Sequence, residues 1–382
     1  MTQMRVAIIE PVGASGGMDF WNDSMTNALA DVGVDAFLIT GLSGSRRDQK
    51  YVKWELFKDA FGAKPKWVRG LIYMYASLCG LARARARGAK IAHFHLFQID
   101  LPHLLAVIFA KLVGMRVLVS AHDVGSLRAG EARPFLWGVY RLAKAIVVYS
   151  EIAKQRLKER YSVPGHRIFV APHGHYLNVF EAPIERQQAR TELGLNSSDF
   201  VLLFFGQIKK IKRLDLLISA FGIAKRKGTR PMKLLVAGRF FDVDQRAIRT
   251  QILNENLEND IIIVPGYVED DQIPHFFAAS DMIILPYDHI YQSGVLLLAM
   301  SGGVPVVTSN IAGMLEVVQP ERTGLIFEKG CAESLSSQII AAAGDRDRNL
   351  QIAKAAREYV EEMHSWHRAA EVTVAAYKHA LR

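Results

Sequence analysis

Short apolar runs alternate with longer segments of helical periodicity along the whole chain. Apolar runs of about 4–8 residues bounded by turn residues are typical of buried parallel strands. In the first half, strands are predicted at 5–10, 34–39, 91–96, 117–121, 145–149 and 168–172. In the second half, they are predicted at 200–205, 233–237, 261–264, 282–285 and 304–308. The helical segments between these strands favour an α/β fold with parallel sheets.

The length of the chain and a polar break near its middle predict two domains. A chain of 382 residues is too long for one ordinary core and suits two. We predict an N-terminal Rossmann-like domain at 1–178, a linker at 179–198 around Pro183, and a second Rossmann-like domain at 199–355. A final helix at 356–382 could cross back to the first domain. The two domains would face a central cleft, with ligands beyond the carboxyl ends of the strands.

Positive charge is concentrated in one part of the first domain. Residues 46–90 contain twelve lysines and arginines and three acids, so this stretch carries a charge of +9, equal to that of the whole chain. Aromatic residues such as Trp54, Trp67 and Tyr75 lie between these cations. The combination suits an anionic membrane surface, and it also suits nucleic acid. A solvated pair of helices with core aromatics is the plainer alternative.

The cysteines and the apolar runs bear on the compartment. Cys79 and Cys331 are far apart, which predicts two reduced thiols in a cytosolic protein and no cysteine-based metal site. The N-terminus runs into a strand without a signal-peptide pattern. The longest apolar run near the basic stretch, 71–82, is shorter than the roughly 20 residues that span a bilayer. We expect a cytoplasmic protein, with a peripheral position on the inner face of the membrane as an option.

The first motif is FFGQIKKIKRLDLLISAF, residues 204–221, in which a buried strand meets a basic loop and then a helix. Gly206 ends the strand and permits close approach of a ligand to the backbone. Four cations follow it, Lys209, Lys210, Lys212 and Arg213. Positive charge at the carboxyl end of a strand suits a bound diphosphate. The alternative is a solvated basic loop.

The second motif is PYDHIYQSGVLLLAMSGGVPVVTSN, residues 286–310, in which an apolar helix begins at Ser293-Gly294-Val295. The first N–H groups of a helix and the positive end of its dipole bind anions. Because this helix is apolar all round, we expect it to be buried and its first amides to need a partner. The motif predicts a phosphate site at 293–295, although Ser293 could be a simple N-cap.

In this order and spacing, the two motifs resemble the donor domain of the retaining GT-B glycosyltransferases of family 4, bacterial polysaccharide-type subgroup. The segments VAGRF (236–240), VPGYVEDDQIPHFFAASDMIILPY (264–287) and AGMLEVVQPERTGLIF (312–327) fit the same pattern. The resemblance covers essentially the whole chain, strongly over 200–330 and loosely before it. It implies that a nucleoside diphosphate sugar is held at Gly206, Lys209, Lys212, Arg239, Tyr267, Ser293, Gly294 and Val295. Lys212 would also be catalytic.

The sequence departs from the family pattern around the donor helix. The family usually carries two glutamates eight positions apart, and these positions are Ile290 and Leu298 here. Because the second glutamate normally binds the donor ribose, Glu316 is nominated for this contact instead. The arginine that usually follows the strand glycine is Gln207, and a lysine of the basic loop could replace its charge. We interpret the missing glutamates as subgroup variation.

Histidines follow three predicted strands of the first domain, in the segments HFH (93–95), AHD (121–123) and PHGHY (172–176). The carboxyl ends of parallel strands meet at one edge of a sheet, so these side chains are predicted to lie close together. In the resembling family, a first-domain histidine contacts the transferring sugar, and His122 or His95 matches by position. The resemblance therefore implies catalytic roles for His122 and Asp123 and acceptor-side roles for His95 and His173. Each histidine taken alone could be structural.

Two further motifs have weaker implications. Gly13, Gly16 and Gly17 follow the first strand, but they do not form a dinucleotide-binding fingerprint, and the resemblance implies that Gly16 and Gly17 line the acceptor side. The segment Asp242-Val-Asp244 is similar to the metal motif of a different transferase fold, and we interpret it as a loop and helix cap. We expect no metal and no cofactor, only a nucleotide-sugar co-substrate.

The resemblance thus implies a hexosyltransferase-type enzyme that moves a sugar from a UDP- or GDP-sugar to a glycan or lipid-linked acceptor with retention. Its setting would be cell-surface polysaccharide synthesis. The lysines and the helix start would stabilise the leaving diphosphate. The lack of paired carboxylates speaks against a hydrolase. The alternatives are a nucleotide-sugar epimerase of the same fold and a non-catalytic glycan- or membrane-binding protein with a decayed donor site. Nucleic acid is not expected as a partner.

Overall fold

The computed structural model of the chain describes residues 3–13, 17–42, 49–58, 60, 64–97, 99–122, 124, 134–228 and 230–382. The chain forms two compact units. The first unit comprises Met1–Gly174 together with His364–Arg382, and the second unit comprises His175–Met363. Each unit contains one parallel sheet, as the alternating pattern of the sequence predicts.

The strands of the first unit are β1 (Met4–Glu10), β2 (Val34–Thr40), β3 (Val52–Trp54), β4 (Ile91–Leu96), β5 (Arg116–Ala121), β6 (Ala145–Val148) and β7 (Ile168–Val170). They pair in parallel in the order β3-β2-β1-β4-β5-β6-β7. The strands β4 and β6 are buried throughout, as expected of strands covered by helices on both faces. The strand order reverses between β1 and β4, which is where parallel sheets open for ligands.

Among the described residues, the helices that precede the second unit along the chain belong to this first unit. They are α1 (Met18–Asp31), α2 (Lys66–Ala86), α3 (Leu101–Leu112), α4 (Pro134–Leu142) and α5 (Glu151–Tyr161). Each of these helices follows a strand, so its N-terminal end lies near the carboxyl edge of the sheet. Among the described helices, none combines the length and the apolar character that crossing a bilayer requires.

The strands of the second unit are β8 (Phe200–Phe205), β9 (Met232–Gly238), β10 (Ile261–Pro265), β11 (Met282–Leu285), β12 (Val306–Ser309) and β13 (Leu325–Phe327). They pair in parallel in the order β10-β9-β8-β11-β12-β13. The helices are α6 (Arg186–Glu192), α7 (Leu214–Lys227), α8 (Gln245–Asn254), α9 (Ile273–Ala279), α10 (Gly294–Ser301), α11 (Ala312–Leu315), α12 (Ala332–Gly344) and α13 (Arg346–Met363). The order of this sheet reverses between β8 and β11.

The expected linker at 179–198 is instead folded into the second unit. This segment contains α6, which packs against α9. Arg190 is buried there, and its guanidinium pairs with the carboxylate of Asp281 at 2.7 Å. Arg186 reaches the same carboxylate at 2.6 Å. The arginines of this segment hold α6 to the residue that precedes β11. The polarity of the segment therefore reflects ion pairs and does not indicate a flexible linker.

The last helix of the chain, α14 (Trp366–Leu381), belongs to the first unit, where it packs against α1 and the strands β4 to β7. The predicted final helix at 356–382 is divided in the structure, because its first residues belong to α13 and the rest form α14. Ser365 separates the two helices because its hydroxyl accepts a hydrogen bond from the Arg368 amide, at 3.2 Å, and so caps α14.

Candidate functional site

The basic loop after β8 is held against the segment that follows β11. The Asp288 amide donates to the Ile211 carbonyl at 2.9 Å, and the Asp288 carboxylate pairs with the Arg213 guanidinium at 3.1 Å. Arg213 also pairs with Asp215 at 2.9 Å, and its own backbone is left-handed, with a φ of 54°. Arg213 therefore fixes the shape of the loop, and the two acids neutralise its charge.

Lys212 extends to the point where the two motifs of the second unit meet. A methyl group placed on Gly206 would lie 3.5 Å from the Lys212 Nζ and 3.2 Å from the Cγ2 of Val295. The same ammonium lies 5.2 Å from the centre of the Tyr287 ring, which follows β11. The structure thus brings together the strand-end glycine, the lysine and the first turn of α10, as the sequence predicts.

The protonation of Lys212 is balanced near neutral pH. Burial removes the ammonium from water, and the nearby charge of Lys209 repels it, so the pKa of Lys212 falls to about 7. The Lys209 ammonium itself lies 5.1 Å from the centre of the Phe241 ring. A bound anion would favour the charged form of Lys212 and raise this pKa. The environment of Lys212 is therefore suited to an anionic ligand.

The start of α10 has the features of an anion site. Ser293 is the N-cap, since its hydroxyl accepts a hydrogen bond from the Leu296 amide at 3.2 Å. This cap satisfies one amide, whereas the Gly294 and Val295 amides belong to the first turn and have no acceptor within the helix. They lie at the positive end of the helix dipole, and the Val295 side chain and the Lys212 ammonium both approach Gly206. Ser293 is therefore an N-cap, and an anion would still meet free amides.

Tyr176 is a further residue of this region. A methyl group placed on Gly294 would lie 3.1 Å from the Tyr176 hydroxyl, so only glycine fits at this turn without displacing the tyrosine. The Tyr176 amide donates to the Ser301 hydroxyl at 2.9 Å, which ties the tyrosine to both ends of α10. Sequence reasoning missed Tyr176 because the segment PHGHY was interpreted as part of the first domain. No pattern in the surrounding sequence indicates that Tyr176 lies next to the second motif in the folded chain.

The two positions where the family carries glutamates are apolar here, and the structure uses them for packing. Leu298 is buried in the apolar core of the second unit. A methyl group on Gly313 would collide with the Ile290 carbonyl oxygen, so α11 lies tightly against the loop that leads to α10. Glu316 directly follows α11 and is exposed. The helix α11 therefore borders the loop that leads to α10. The contact of Glu316 with a ribose stays a prediction.

Arg239 and Tyr267 follow the neighbouring strands β9 and β10, and both are exposed. The β9 strand ends at Gly238, where a methyl group would collide with the carbonyl oxygen of Gly206. The Ile208 amide donates to the Arg239 carbonyl at 2.8 Å. These contacts place Arg239 beside the loop that carries Lys212, and the roles of Arg239 and Tyr267 stay predictions.

The segment Asp242-Val-Asp244 is used in local structure. The Asp242 carboxylate accepts a hydrogen bond from the Lys210 amide at 2.8 Å. Asp244 is the N-cap of α8 and accepts from the Arg246 amide at 2.9 Å. The interpretation as a loop and helix cap is therefore confirmed. Over the described ranges of the chain, no group of three or more His, Cys, Asp or Glu side chains could hold a metal ion.

Two histidines of the first unit meet at the carboxyl edge of its sheet. The Nδ1 of His95 and the Nε2 of His122 share a hydrogen bond of 2.9 Å, and the Phe97 ring stacks on that of His122 at 4.5 Å. The indole of Trp21 lies edge-on to both histidines. Burial lowers the pKa of His95 and of His122 well below the usual value, so both rings are neutral at physiological pH. Of the two, His122 is partly exposed and can reach a ligand.

His93 and His173 have structural partners. The Nδ1 of His93 shares a hydrogen bond of 2.8 Å with the Tyr377 hydroxyl of α14, and its Nε2 shares one of 2.8 Å with the Ser120 hydroxyl. His173 donates from Nδ1 to the Gly174 carbonyl at 2.9 Å. Burial lowers the pKa of His93 to about 3 and that of His173 to about 4. For His93, the structural alternative is therefore correct.

The glycine loop after β1 is organised by a buried carboxylate. Glu10, fully buried at the end of β1, accepts hydrogen bonds from the Val12 and Gly13 amides at 2.9 and 3.1 Å. It also accepts from the side chain of Asn22 at 2.6 Å. Gly17 caps α1 with a left-handed φ of 80°. Sequence reasoning missed Glu10, whereas the predicted Gly16 and Asp123 lie outside the described residues.

Comparisons with known proteins bear on both halves of the chain. The sequence model of the family Glycosyl transferases group 1 matches residues 185–359. That of Glycosyltransferase Family 4 matches residues 15–178. The chain belongs to the group 1, family 4 glycosyltransferases. The family predicted from the two motifs is thereby confirmed, and with it the assignment as a transferase enzyme.

Curated relatives of this glycosyltransferase have the same type of activity. The chain is 22% identical to a D-inositol 3-phosphate glycosyltransferase of Pseudarthrobacter chlorophenolicus, over 97% of this chain and 91% of that protein. Other relatives with that name match over 63% of this chain and between 53% and 58% of their own length. These relatives are named as glycosyltransferases, and the activity of the present chain is likewise assigned as glycosyl transfer, without a donor or an acceptor.

Solved structures identify the fold of the glycosyltransferase as GT-B, with two Rossmann-like domains. A glycosyltransferase from Rickettsia africae matches with a TM-score of 0.78 at 18% identity, over 100% of both chains. The Anabaena protein HepE, crystallised with UDP and glucose, matches with a TM-score of 0.77 at 16% identity, over 98% of this chain and 99% of that one. At these identities, the likeness shows the fold, and the predicted fold class is confirmed.

Proposed function

We propose that this glycosyltransferase moves a hexose from a UDP- or GDP-sugar to a glycan or lipid-linked acceptor with retention of configuration, in cell-surface polysaccharide synthesis. The observation that carries the donor class is the meeting of Lys212 Nζ, Gly206 and the first turn of α10. A diphosphate is negatively charged, so it would pair with the ammonium of this lysine and accept hydrogen bonds from these amides. Retention rests on the family resemblance.

The chemistry at this place is electrostatic. As the bond between the sugar and the diphosphate breaks, negative charge develops on the leaving oxygen. The Lys212 ammonium and the Gly294 and Val295 amides stabilise that charge, with Lys209 adding to the positive potential. Because these groups supply positive charge, we propose transfer without a metal ion or a cofactor.

The first unit supplies the acceptor side in this proposal. His122 is partly exposed at the carboxyl edge of its sheet, and its neutral ring can hydrogen-bond a sugar hydroxyl. His95 fixes the orientation of that ring. We assign the sugar contact to His122 together with Asp123, and the border of the acceptor site to Gly16, Gly17 and His173.

Two names among the similar proteins support the donor and acceptor classes. HepE is described in complex with UDP and glucose, so UDP-glucose is the first donor to test. A further solved relative, WaaG, is described as involved in lipopolysaccharide biosynthesis, and its TM-score is 0.67 at 15% identity. The basic stretch 46–90 supports work at the inner face of a membrane, where lipid-linked acceptors are held.

A donor screen by thermal shift, followed by turnover assays of Lys212→Ala, tests the proposal. Loss of the ammonium should reduce turnover about 10²- to 10³-fold, in line with the loss of one stabilising donor at a developing charge. Lys354→Ala, an exposed lysine on α13, is the matched control and should retain full activity. Near-normal turnover of Lys212→Ala would contradict the donor site. Product analysis without acceptor separates transfer from epimerisation, and stabilisation by none of the donors would indicate a binding protein.

A further inference from the structure

Three helices of the first unit form one continuous layer. A methyl group on Gly70 of α2 would lie 3.5 Å from the ring of Pro102 in α3. One on Gly138 of α4 would lie 3.2 Å from Leu104 of α3. These small residues let α2, α3 and α4 lie side by side with their N-terminal turns aligned. The sides of the helices that face away from the sheet therefore make a single surface.

The aromatic residues of the basic stretch separate into a buried and an exposed group. Trp54 stacks on Phe37 at 5.3 Å, and Tyr73 is a buried residue of α2, so both belong to the core. Trp67, Leu71 and Tyr75 of α2, by contrast, are 70%, 62% and 73% exposed. Their spacing of four residues places them along one side of the helix. The first three turns of α2 thus present a continuous apolar stripe to solvent.

The neighbouring helices extend this stripe. Leu105, Ile108 and Leu112 are exposed on one side of α3, and Trp137 is exposed on α4. Half of the exposed large apolar side chains in the described part of the chain lie on these three helices. Isolated exposed apolar residues are ordinary on a protein surface, whereas a contiguous set indicates a docking surface.

The charge of the layer has one sign. The sequences of α2, α3 and α4 contain no aspartate and no glutamate. Their exposed cations include Arg85, Lys111 and Arg141, and the Arg141 guanidinium lies 5.1 Å from the centre of the Trp137 ring. The helix α13, which is exposed on one side only, carries acids as well as bases. Apolar and aromatic residues flanked only by cations match an anionic lipid surface, where rings enter the interface and cations meet headgroups.

We infer that the outer face of α2, α3 and α4, named here the apolar–basic layer, docks on an anionic phospholipid bilayer. The contact is therefore not the basic stretch 46–90 as such, since part of that stretch lies in the core and two of the three helices lie beyond it. The N-terminal ends of these helices lie near the carboxyl edge of the sheet, the edge at which His122 is placed. Docking of the sides of these helices would hold that edge close to the bilayer surface, and its use for a lipid-linked acceptor rests on the proposed function.

Vesicle co-sedimentation of the full chain tests the layer. We expect binding to vesicles of phosphatidylcholine with about a third phosphatidylglycerol, and at least tenfold weaker binding to phosphatidylcholine alone or in high salt. Leu71→Glu and Leu112→Glu should each weaken binding to the anionic vesicles about tenfold or more. Leu350→Glu, an equally drastic change at an exposed leucine of α13, is the matched control and should bind as the parent does.

The charge arm uses Lys111→Gln and Arg141→Gln, each expected to weaken binding about fivefold, beside Lys354→Gln as control. Thermal shift with the donor is measured on every variant, so a failed donor site is distinguished from a failed membrane site. The inference is overturned if the parent chain does not sediment with anionic vesicles, or if Leu350→Glu weakens binding as much as Leu71→Glu. It is also overturned if Leu71→Glu only dissociates a dimer in ultracentrifugation, which would make the layer a protein interface.

Discussion

Binding of the donor should load a proton onto Lys212. In the free protein, burial and the charge of Lys209 hold the pKa of this lysine at about 7. A diphosphate against the Nζ favours the ammonium form and raises that pKa. The diphosphate of a nucleoside diphosphate sugar is esterified at both ends and keeps its charge near neutral pH. Any proton taken up on binding therefore belongs to the protein.

The expected magnitudes follow from this pKa. If only the ammonium form binds, the apparent Kd rises by about twofold at pH 7 and about tenfold at pH 8 relative to acidic pH, the latter worth about 1.4 kcal/mol. At pH 8, about 0.9 proton should be taken up per donor bound, and at pH 6 only about 0.1. Donor affinity should thus increase as the pH is lowered from 8 to 6.

Calorimetric titration in buffers of different ionisation enthalpy measures the proton uptake directly. Lys212→Arg is the decisive variant, because arginine keeps the positive charge and does not titrate in this range. Its donor affinity should be flat with pH and its proton uptake close to zero. The reasoning is refuted if the parent chain binds donor at pH 8 without proton uptake, or if Lys212→Arg takes up as many protons as the parent.

Three other variants test the structural account. Leu298→Glu should lower the free energy of unfolding by about 3 kcal/mol or more in urea, because the family's acid would be buried without a partner here; unchanged stability with tighter donor binding would contradict this. Gly206→Ala should cost about 1–2 kcal/mol of stability and weaken donor binding about tenfold, since its φ is 93° and the new methyl lies 3.2 Å from Val295. Gly344→Ala, with open space around it, is the control. His93 has a pKa of about 3 in the folded chain and about 6.5 unfolded, so the unfolded chain binds more protons below pH 6.5, and stability is lost as the pH falls towards 3. Going from pH 8 to pH 5 should cost about 2 kcal/mol at this one histidine, and urea unfolding of His93→Gln should show a pH dependence weaker by that amount.

The elements that the sequence predicts best are those buried on both faces. β8 and β11 have the predicted bounds because uninterrupted apolar runs between turn residues have no other stable place in an α/β fold. β3 and β13 were not predicted, since three residues such as Val52–Trp54 are too short for any periodicity. The linker prediction was wrong because a charged residue such as Arg190 is expected to be exposed to solvent. Its ion-pair partner, Asp281, lies far along the chain and could not be recognised from the local sequence.

The candidate site divides in the same way. Gly206, Lys212 and the start of α10 could be predicted because each motif places its own chemistry at a strand end. Tyr176 could not, because its relation to Gly294 is set by packing and not by spacing. In the sequence, Glu10 is only a polar residue at the end of a strand. The backbone amides that donate to its carboxylate are seen only in the folded chain.

The return of α14 to the first unit fixes the order in which the two halves are finished during synthesis. The strands β1 to β7 leave the ribosome first, but the Tyr377 hydroxyl that meets His93 is made only after the whole of His175–Met363. The second unit is one continuous segment and completes its core from its own residues. The half that is translated first is thus the last to be completed. Removal of His364–Arg382 should therefore damage the half of the enzyme from which these residues are most distant in sequence.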